Sequence, residues 1–245
     1  MDRSEQPLIR RVSAWNWLVA ASAGLLLVCG LAVGVSWALS SEERVSSYDV
    51  RGSLQGVNLD LGDADLEIVG GGSVPRLNVR RTDSFAFGQA SEAGRRLVDG
   101  ELRLTSHCPP IVLGSCSASY RLQVPDNVPV TVRTDAGDVS FNEFRGSARI
   151  ETRAGNVDVD AWCGFSLIVR TDAGNVRAAA ACQPERMELR TNTGAVNALV
   201  PPGRYRVDAD SDEGASQVDG IELADDAPFR IQALSGSGDV LVEAQ

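Results

Sequence analysis

One phrase is written four times between about Val130 and Val200: Arg133-Thr-Asp-Ala-Gly137-Asp-Val139, Glu151-Thr-Arg-Ala-Gly155-Asn-Val157, Arg170-Thr-Asp-Ala-Gly174-Asn-Val176 and Arg190-Thr-Asn-Thr-Gly194-Ala-Val196. The glycine recurs roughly every 18 to 20 residues, with weaker copies at Gly214 and Gly238, a period found in stacked-coil architectures. Aligned on these glycines, apolar residues fall into columns at even steps. Val130, Ala148, Leu167, Met187, Val207 and Ile231 form one, Val132, Ile150, Val169, Leu189, Ala209 and Ala233 a second, and Val139, Val157, Val176, Val196, Ser216 and Val240 a third. The positions between are mostly polar, as at Arg133, Glu151, Arg170, Arg190 and Asp210. Period-two alternation predicts strands with one buried face, and the Asx-Ala-Gly segment predicts a turn in which glycine supplies a positive φ. Such a coil cannot bury its apolar edge alone, so the copies must stack. The expected fold is all-β: a single-stack β-solenoid, or β-helix, with coils of about 18–20 residues. An antiparallel sandwich also satisfies the alternation but gives no reason to repeat one turn sequence at one period.

Ahead of the repeat, the stretch from Leu18 to Leu39 carries no charge and is flanked by Trp15, Trp17 and Trp37. Its length predicts one N-terminal transmembrane helix. Arg3, Arg10 and Arg11 before it, and Glu42 and Glu43 after it, place the N-terminus in the cytoplasm. The expected organisation is a cytoplasmic tail at 1–14, a transmembrane helix at 15–39, a linker at 40–52, and an extracytoplasmic β-solenoid at 53–245 with an irregular excursion at 82–119. A cleaved signal peptide is the alternative, since Ala38-Leu-Ser40 resembles a cleavage site. Gly30 and Gly34 match the small-residue pattern of membrane-helix dimers, which would serve a homodimer. Before the repeat, strands are expected at Val57–Leu61, Leu66–Val69 and Leu77–Arg80, and a hairpin at Leu97–Thr105 around Asp99-Gly100.

The formal net charge is −10, which makes nucleic acid a poor partner. Every basic residue is arginine, so Schiff-base and P-loop lysine chemistry are excluded. Cys163 and Cys182 stand at the same place in adjoining copies, within disulfide reach if the copies stack, and Cys108 and Cys116 can close a loop around Pro109-Pro110. In an exported domain these two pairs read as structural disulfides, with reduced, stacked thiols the alternative for Cys163 and Cys182. His107 is the sole histidine and has no CxxC or His-x-His companion, so it reads as a loop residue and not half of a metal site. No G-x-S-x-G elbow occurs. Asp135, Asp172, Asn192 and Asp212, with Asp138, Asn156 and Asn175, raise calcium along the turns, but Asx turns bonding their own backbone account for them. No catalytic, cofactor or metal residues are therefore assigned; the notable positions are the four ectodomain cysteines and the turn glycines Gly137, Gly155, Gly174, Gly194, Gly214 and Gly238.

The strand-Gly-Asx-Val repeat, the run Tyr120-Arg-Leu-Gln-Val-Pro125 leading to Val130-Thr-Val-Arg-Thr-Asp-Ala-Gly-Asp-Val139, and the N-terminal apolar segment resemble the bacterial "putative adhesin" β-strand-repeat family, relatives of the head-GIN domain. The resemblance covers roughly residues 48–245 and implies a β-helical ectodomain on a bacterial cell surface; the family has no established catalytic residues to carry over. The expected function is a membrane-anchored cell-envelope protein whose ectodomain is a non-catalytic interaction, adhesion or scaffolding surface for a protein or glycan partner. An envelope-stress sensing component and a carbohydrate-active β-helix enzyme are the alternatives.

Overall fold

The computed structural model describes residues 14–39, 41–73, 76–86, 90–110 and 115–245; most of the expected tail at 1–14 lies outside them. The chain forms two units, Met1–Ser41 and Glu42–Gln245. The first holds a helix, α1 (Ala14–Leu39), and its described side chains, 21–36, are exposed, Leu26 and Val33 among them. No helix among the described residues is long and apolar enough to cross a membrane, which corrects the expected transmembrane helix at 15–39. Gly30 and Gly34 lie on this helix with open space around them.

The second unit is built almost wholly of strands. Residues 41–51, expected as a linker, form β1 (Ser41–Arg51), followed by β2 (Gly56–Asp60), β3 (Asp65–Gly70) and β4 (Arg76–Ala86). The expected excursion holds β5 (Glu92–Val98), β6 (Glu101–His107) and β7 (Cys116–Val124). The four strong copies give β8 (Val130–Ala136) and β9 (Val139–Asn142), β10 (Ala148–Ala154) and β11 (Val157–Trp162), β12 (Ser166–Ala173) and β13 (Val176–Ala180), and β14 (Arg186–Thr193) and β15 (Val196–Val200). The weaker copies give β16 (Arg204–Ser211), β17 (Ser216–Asp219) and the short β18 (Glu222–Leu223), then β19 (Arg230–Ser237) and β20 (Val240–Ala244).

These strands form two ten-stranded sheets, ordered β1-β4-β7-β3-β9-β11-β13-β15-β20-β17 and β18-β16-β19-β14-β12-β10-β8-β2-β6-β5. This corrects the single-stack β-solenoid on two counts. First, the sheets are mixed: β4 runs antiparallel to β7, and β5 antiparallel to β6 through a turn in which Asp99 and Gly100 both take positive φ. Second, strands leave chain order at both ends, with β2 and β3 lying inside β6 and β7, and β19 and β20 inserted between the fourth copy and β16 and β17. The more apolar copy goes inside. Ile231, Ala233, Val240 and Val242 are buried between neighbours on both sides, whereas the edge copy carries Asp208, Asp210 and Ser216 and leaves Val207, Ala209 and Val218 half-buried.

Within the central strands pairing is parallel and in the register of the repeat. Leu167 stands beside Ala148 and Met187, and Val157 beside Val139 and Val176. The inward columns meet between the sheets in one apolar core that includes Leu59, Ile68, Leu122, Ile150, Val169 and Val196. Each such fully buried Leu, Ile or Val side chain contributes roughly 1.5–3 kcal/mol of transfer free energy. Larger side chains fill the corners: Phe141 and Phe144 meet edge-on at 5.4 Å, and Trp162 donates its indole N–H to the Gly146 carbonyl at 2.9 Å.

The glycine turns join the two sheets along one corner. Gly155 and Gly174 have φ of +132° and +146°, and a Cβ on either would overlap the carbonyl of the glycine one layer back, Gly137 and Gly155 respectively. Both the backbone conformation and the close layer spacing therefore demand glycine there. The layers follow the sheet order, so Gly238 lies against Gly194, and Gly214 lies against Gly238.

Candidate functional site

Side chains beside the glycine turns are occupied in holding the layers together. Asp65 accepts the backbone N–H of Asp138 at 2.9 Å, Asp138 that of Asn156 at 2.8 Å, Asn156 that of Asn175 at 3.1 Å, and Asn175 that of Ala195 at 2.9 Å. The inward hydroxyls do similar work: Thr191 donates to the Gly174 carbonyl at 2.9 Å and Ser235 to that of Gly194 at 2.8 Å. Of the Asx oxygens that raised calcium in the sequence, those of Asp138, Asn156 and Asn175 thus satisfy amides of the next layer, while Asp135 pairs with Arg153 at 2.9 Å and Asp172 accepts from the Asn192 side-chain amide at 3.0 Å. Among the described residues no group of three or more His, Cys, Asp or Glu is placed to hold a metal ion.

The outer strand faces carry ion pairs between layers, such as Arg133–Glu151 at 3.2 Å and Arg177–Asp158 at 3.2 Å. Burial alone would raise the Glu151 carboxyl, but hydrogen bonds and charges from Arg149 and Arg133 outweigh it and hold the group below its usual value. Next to these pairs, Asp65, Glu67, Arg80, Arg121, Asp138 and Asp158 line a shallow charged groove of about 660 Å³. Within it Arg121 pairs with Glu67 at 3.1 Å.

The opposite corner is different in kind. There the loops between β7 and β8, β9 and β10, β11 and β12, β13 and β14, and β18 and β19 line a groove of about 640 Å³. The disulfide Cys163–Cys182 ties two of these loops, with Cα atoms 5.1 Å apart, and Trp162, fully buried beneath, anchors one of them. Phe165 stands 69% exposed in the groove, although a large apolar ring is costly to leave in water. Phe229 faces it, half-buried and stacked at a tilt on Tyr205. Asn127, Gln183, Arg145 and Glu185 supply polar groups, and Asp126 adds a buried carboxylate oxygen with no hydrogen-bond partner among the described residues. An exposed aromatic, a rigid disulfide floor and an orphan acceptor together describe a ligand groove.

The other disulfide, Cys108–Cys116, closes the loop between β6 and β7, and His107 ends β6 exposed. Of the positions singled out in the sequence, only Cys163 and Cys182 enter the groove. Phe165, Phe229 and Asp126 carried no motif; the one available signal was a phenylalanine beside Cys163-Gly164 that belongs to no apolar column.

No protein-family model matches the sequence, and no curated protein matches it. Among solved structures, the chain is similar to one described as a putative cell adhesion protein from Clostridium sporogenes, at 12% identity and TM-score 0.44, covering 83% of this chain and 100% of that one. It is also similar to one described as a putative adhesin from Bacteroides fragilis, at 12% identity and TM-score 0.46, covering 82% and 97%. A third, described as a putative lipid binding protein from Parabacteroides distasonis, shares 10% identity at TM-score 0.33, covering 80% and 96%.

Proposed function

We propose that the unit Glu42–Gln245 is an extracellular, non-catalytic adhesion domain that holds a glycan in the groove between Phe165 and Phe229. The observation that carries this reading is Phe165, exposed at a groove whose floor is fixed by the Cys163–Cys182 disulfide. The two disulfides support an oxidising, extracellular setting. A sugar ring offers an apolar face for the phenylalanines and hydroxyls for the Asp126 oxygen and the Gln183 and Asn127 amides, whereas a purely apolar ligand would leave Asp126 unsatisfied. The test is binding of the purified full chain to an array of glycans and peptides, alongside an assay for cleavage of the captured polymer. The reading expects glycan capture weakened at least about tenfold in Phe165→Ala, the scale of one buried aromatic contact, with no product released. Capture of peptides alone, capture indifferent to both Phe165→Ala and Phe229→Ala, or turnover of the polymer would each overturn it.

A further inference from the structure

At the other end of the sheets, where β1 and β4 face β5 and β6, the core gives way to a partly open chamber of about 220 Å³ lined by Ser46, Tyr48, Arg81, Arg95, Leu104 and Tyr120. Its wall is firmly built. Asp83 and Ser91 are buried, and Arg81 pairs with Asp83 at 2.6 Å while donating to the Ser91 carbonyl and hydroxyl, both at 2.7 Å. Ser91 in turn donates to Asp83 at 2.6 Å. Arg81 is thereby neutralised and fixed, with its guanidinium 5.9 Å from the Tyr120 ring centre.

Two groups remain unmatched. The guanidinium of Arg95, on an exposed strand at the chamber's rim, lies 4.4 Å over the Tyr48 ring and has no carboxylate among the ion pairs of the described residues. Tyr120 is only 3% exposed, yet its hydroxyl has no hydrogen-bond partner of acceptable geometry among the described residues, although Ser106 lies near enough to ease its ionisation. Burial raises the phenols of Tyr120 and Tyr48 above their usual value, more than Ser106 and the arginines offset, so both stay protonated donors at neutral pH. A buried donor left unpaired is destabilising, and a cation on the same chamber with no counter-ion selects the sign of what can satisfy both.

From this juxtaposition we infer that the chamber is a binding site for a small carboxylate, whose oxygens accept from the Arg95 guanidinium and the Tyr120 hydroxyl while its hydrocarbon part lies against Tyr48 and Leu104. The site is separate from the corner groove and does not depend on the adhesion reading. A carboxylate suits it better than a phosphate dianion, because one uncompensated positive charge balances one negative charge.

Calorimetric titration of the full chain with propionate, propionamide and methylammonium tests the assignment. Propionate should bind saturably, and its amide and the cation at least about tenfold more weakly, the scale of one charge-assisted hydrogen bond. Arg95→Gln should weaken propionate about tenfold, Tyr120→Phe about fivefold, and Arg206→Gln, an exposed arginine at the far end, not at all. Tyr120→Phe removes a hydroxyl with no hydrogen-bond partner among the described residues and should leave the unfolding midpoint unchanged or higher. Competition arms with glucuronate and with acetyl-dialanine ask whether the carboxylate comes from an acidic sugar or a chain end, and displacement of propionate by either supports the site. Equal binding of propionate and propionamide, no saturable binding, or propionate affinity unmoved by Arg95→Gln would overturn the inference, as would a large drop in midpoint for Tyr120→Phe.

Discussion

Replacing Gly174 by alanine separates the two demands the layered turns place on the backbone. Its φ of +146° lies in a region open essentially to glycine alone, where another residue costs of order 1–3 kcal/mol. The new Cβ would also overlap the carbonyl of Gly155, a residue fixed to the next layer by its N–H donating to the Ala173 carbonyl at 3.0 Å. Overpacking of this kind adds roughly 1–3 kcal/mol. Two other glycines resolve the sum. Gly52 has φ +122° with nothing within 4 Å of a built Cβ, so Gly52→Ala carries strain alone. Gly164 has no positive φ, but its Cβ would overlap the Gly146 carbonyl, so Gly164→Ala carries the clash alone. Thermal unfolding of the full chain, followed by circular dichroism, should rank Gly174→Ala as costlier than either, at about 3–5 kcal/mol. At about 2–4 °C per kcal/mol for a domain of this size, that lowers Tm by about 6–20 °C. A Gly174→Ala midpoint no lower than that of Gly52→Ala would mean the turns are not packed layer on layer, and would refute the reasoning.

Other consequences are equally direct. Cys163→Ala with Cys182→Ala opens a loop of 19 residues, costs about 3 kcal/mol in the chain-entropy account and lowers Tm by about 6–12 °C, checked by calorimetry. Because Glu151 titrates below its unfolded value, its contribution is present above the ordinary carboxylate range and is lost as pH falls through the folded value. Glu151→Gln should therefore flatten the acid limb of the stability–pH curve and, as a partly exposed pair, cost under about 1 kcal/mol at neutral pH in urea titrations. Tyr48, Tyr120 and Tyr205 are all raised by burial, so their contribution is complete below the ordinary phenol value and is lost as pH climbs through the folded values. Spectrophotometric titration should show phenolate appearing late and together with unfolding.

Much of the core was legible because burial on one face of a strand writes itself as period-two alternation. Val130, Ala148, Leu167 and Met187 lie side by side as their repeat positions require. The Asp99-Gly100 turn was legible from its dipeptide, and both disulfides from cysteine spacing. Strand order was not legible, because every copy offers the same columns to its neighbours. Ile231 pairs equally with Met187 and Val207, so no residue pattern says which copy lies between. The clue was energetic: the copy with Asp208, Asp210 and Ser216 is the poorer one to bury. Strand β1 was hidden by its polar composition, since only Tyr48 and Val50 turn inward. The corner groove was illegible for another reason: Phe165, Asp126 and Phe229 come from three loops that only the lateral pairing of strands brings together.

The central claim is that repeat positions pair in parallel across neighbouring strands, with the last two copies exchanged. Methyl-labelled NMR of the full chain tests it through contacts among valine, isoleucine and methionine methyls at equivalent positions. Neighbours one layer apart lie about 4.8 Å apart between backbones, and those two layers apart about twice that. Cross-peaks should link Val139 to Val157, Val157 to Val176, Val176 to Val196, Val196 to Val240, and Val207 to Ile231. Cross-peaks from Met187 to Val207 in place of Met187 to Ile231, or none between Val157 and Val176, would contradict it.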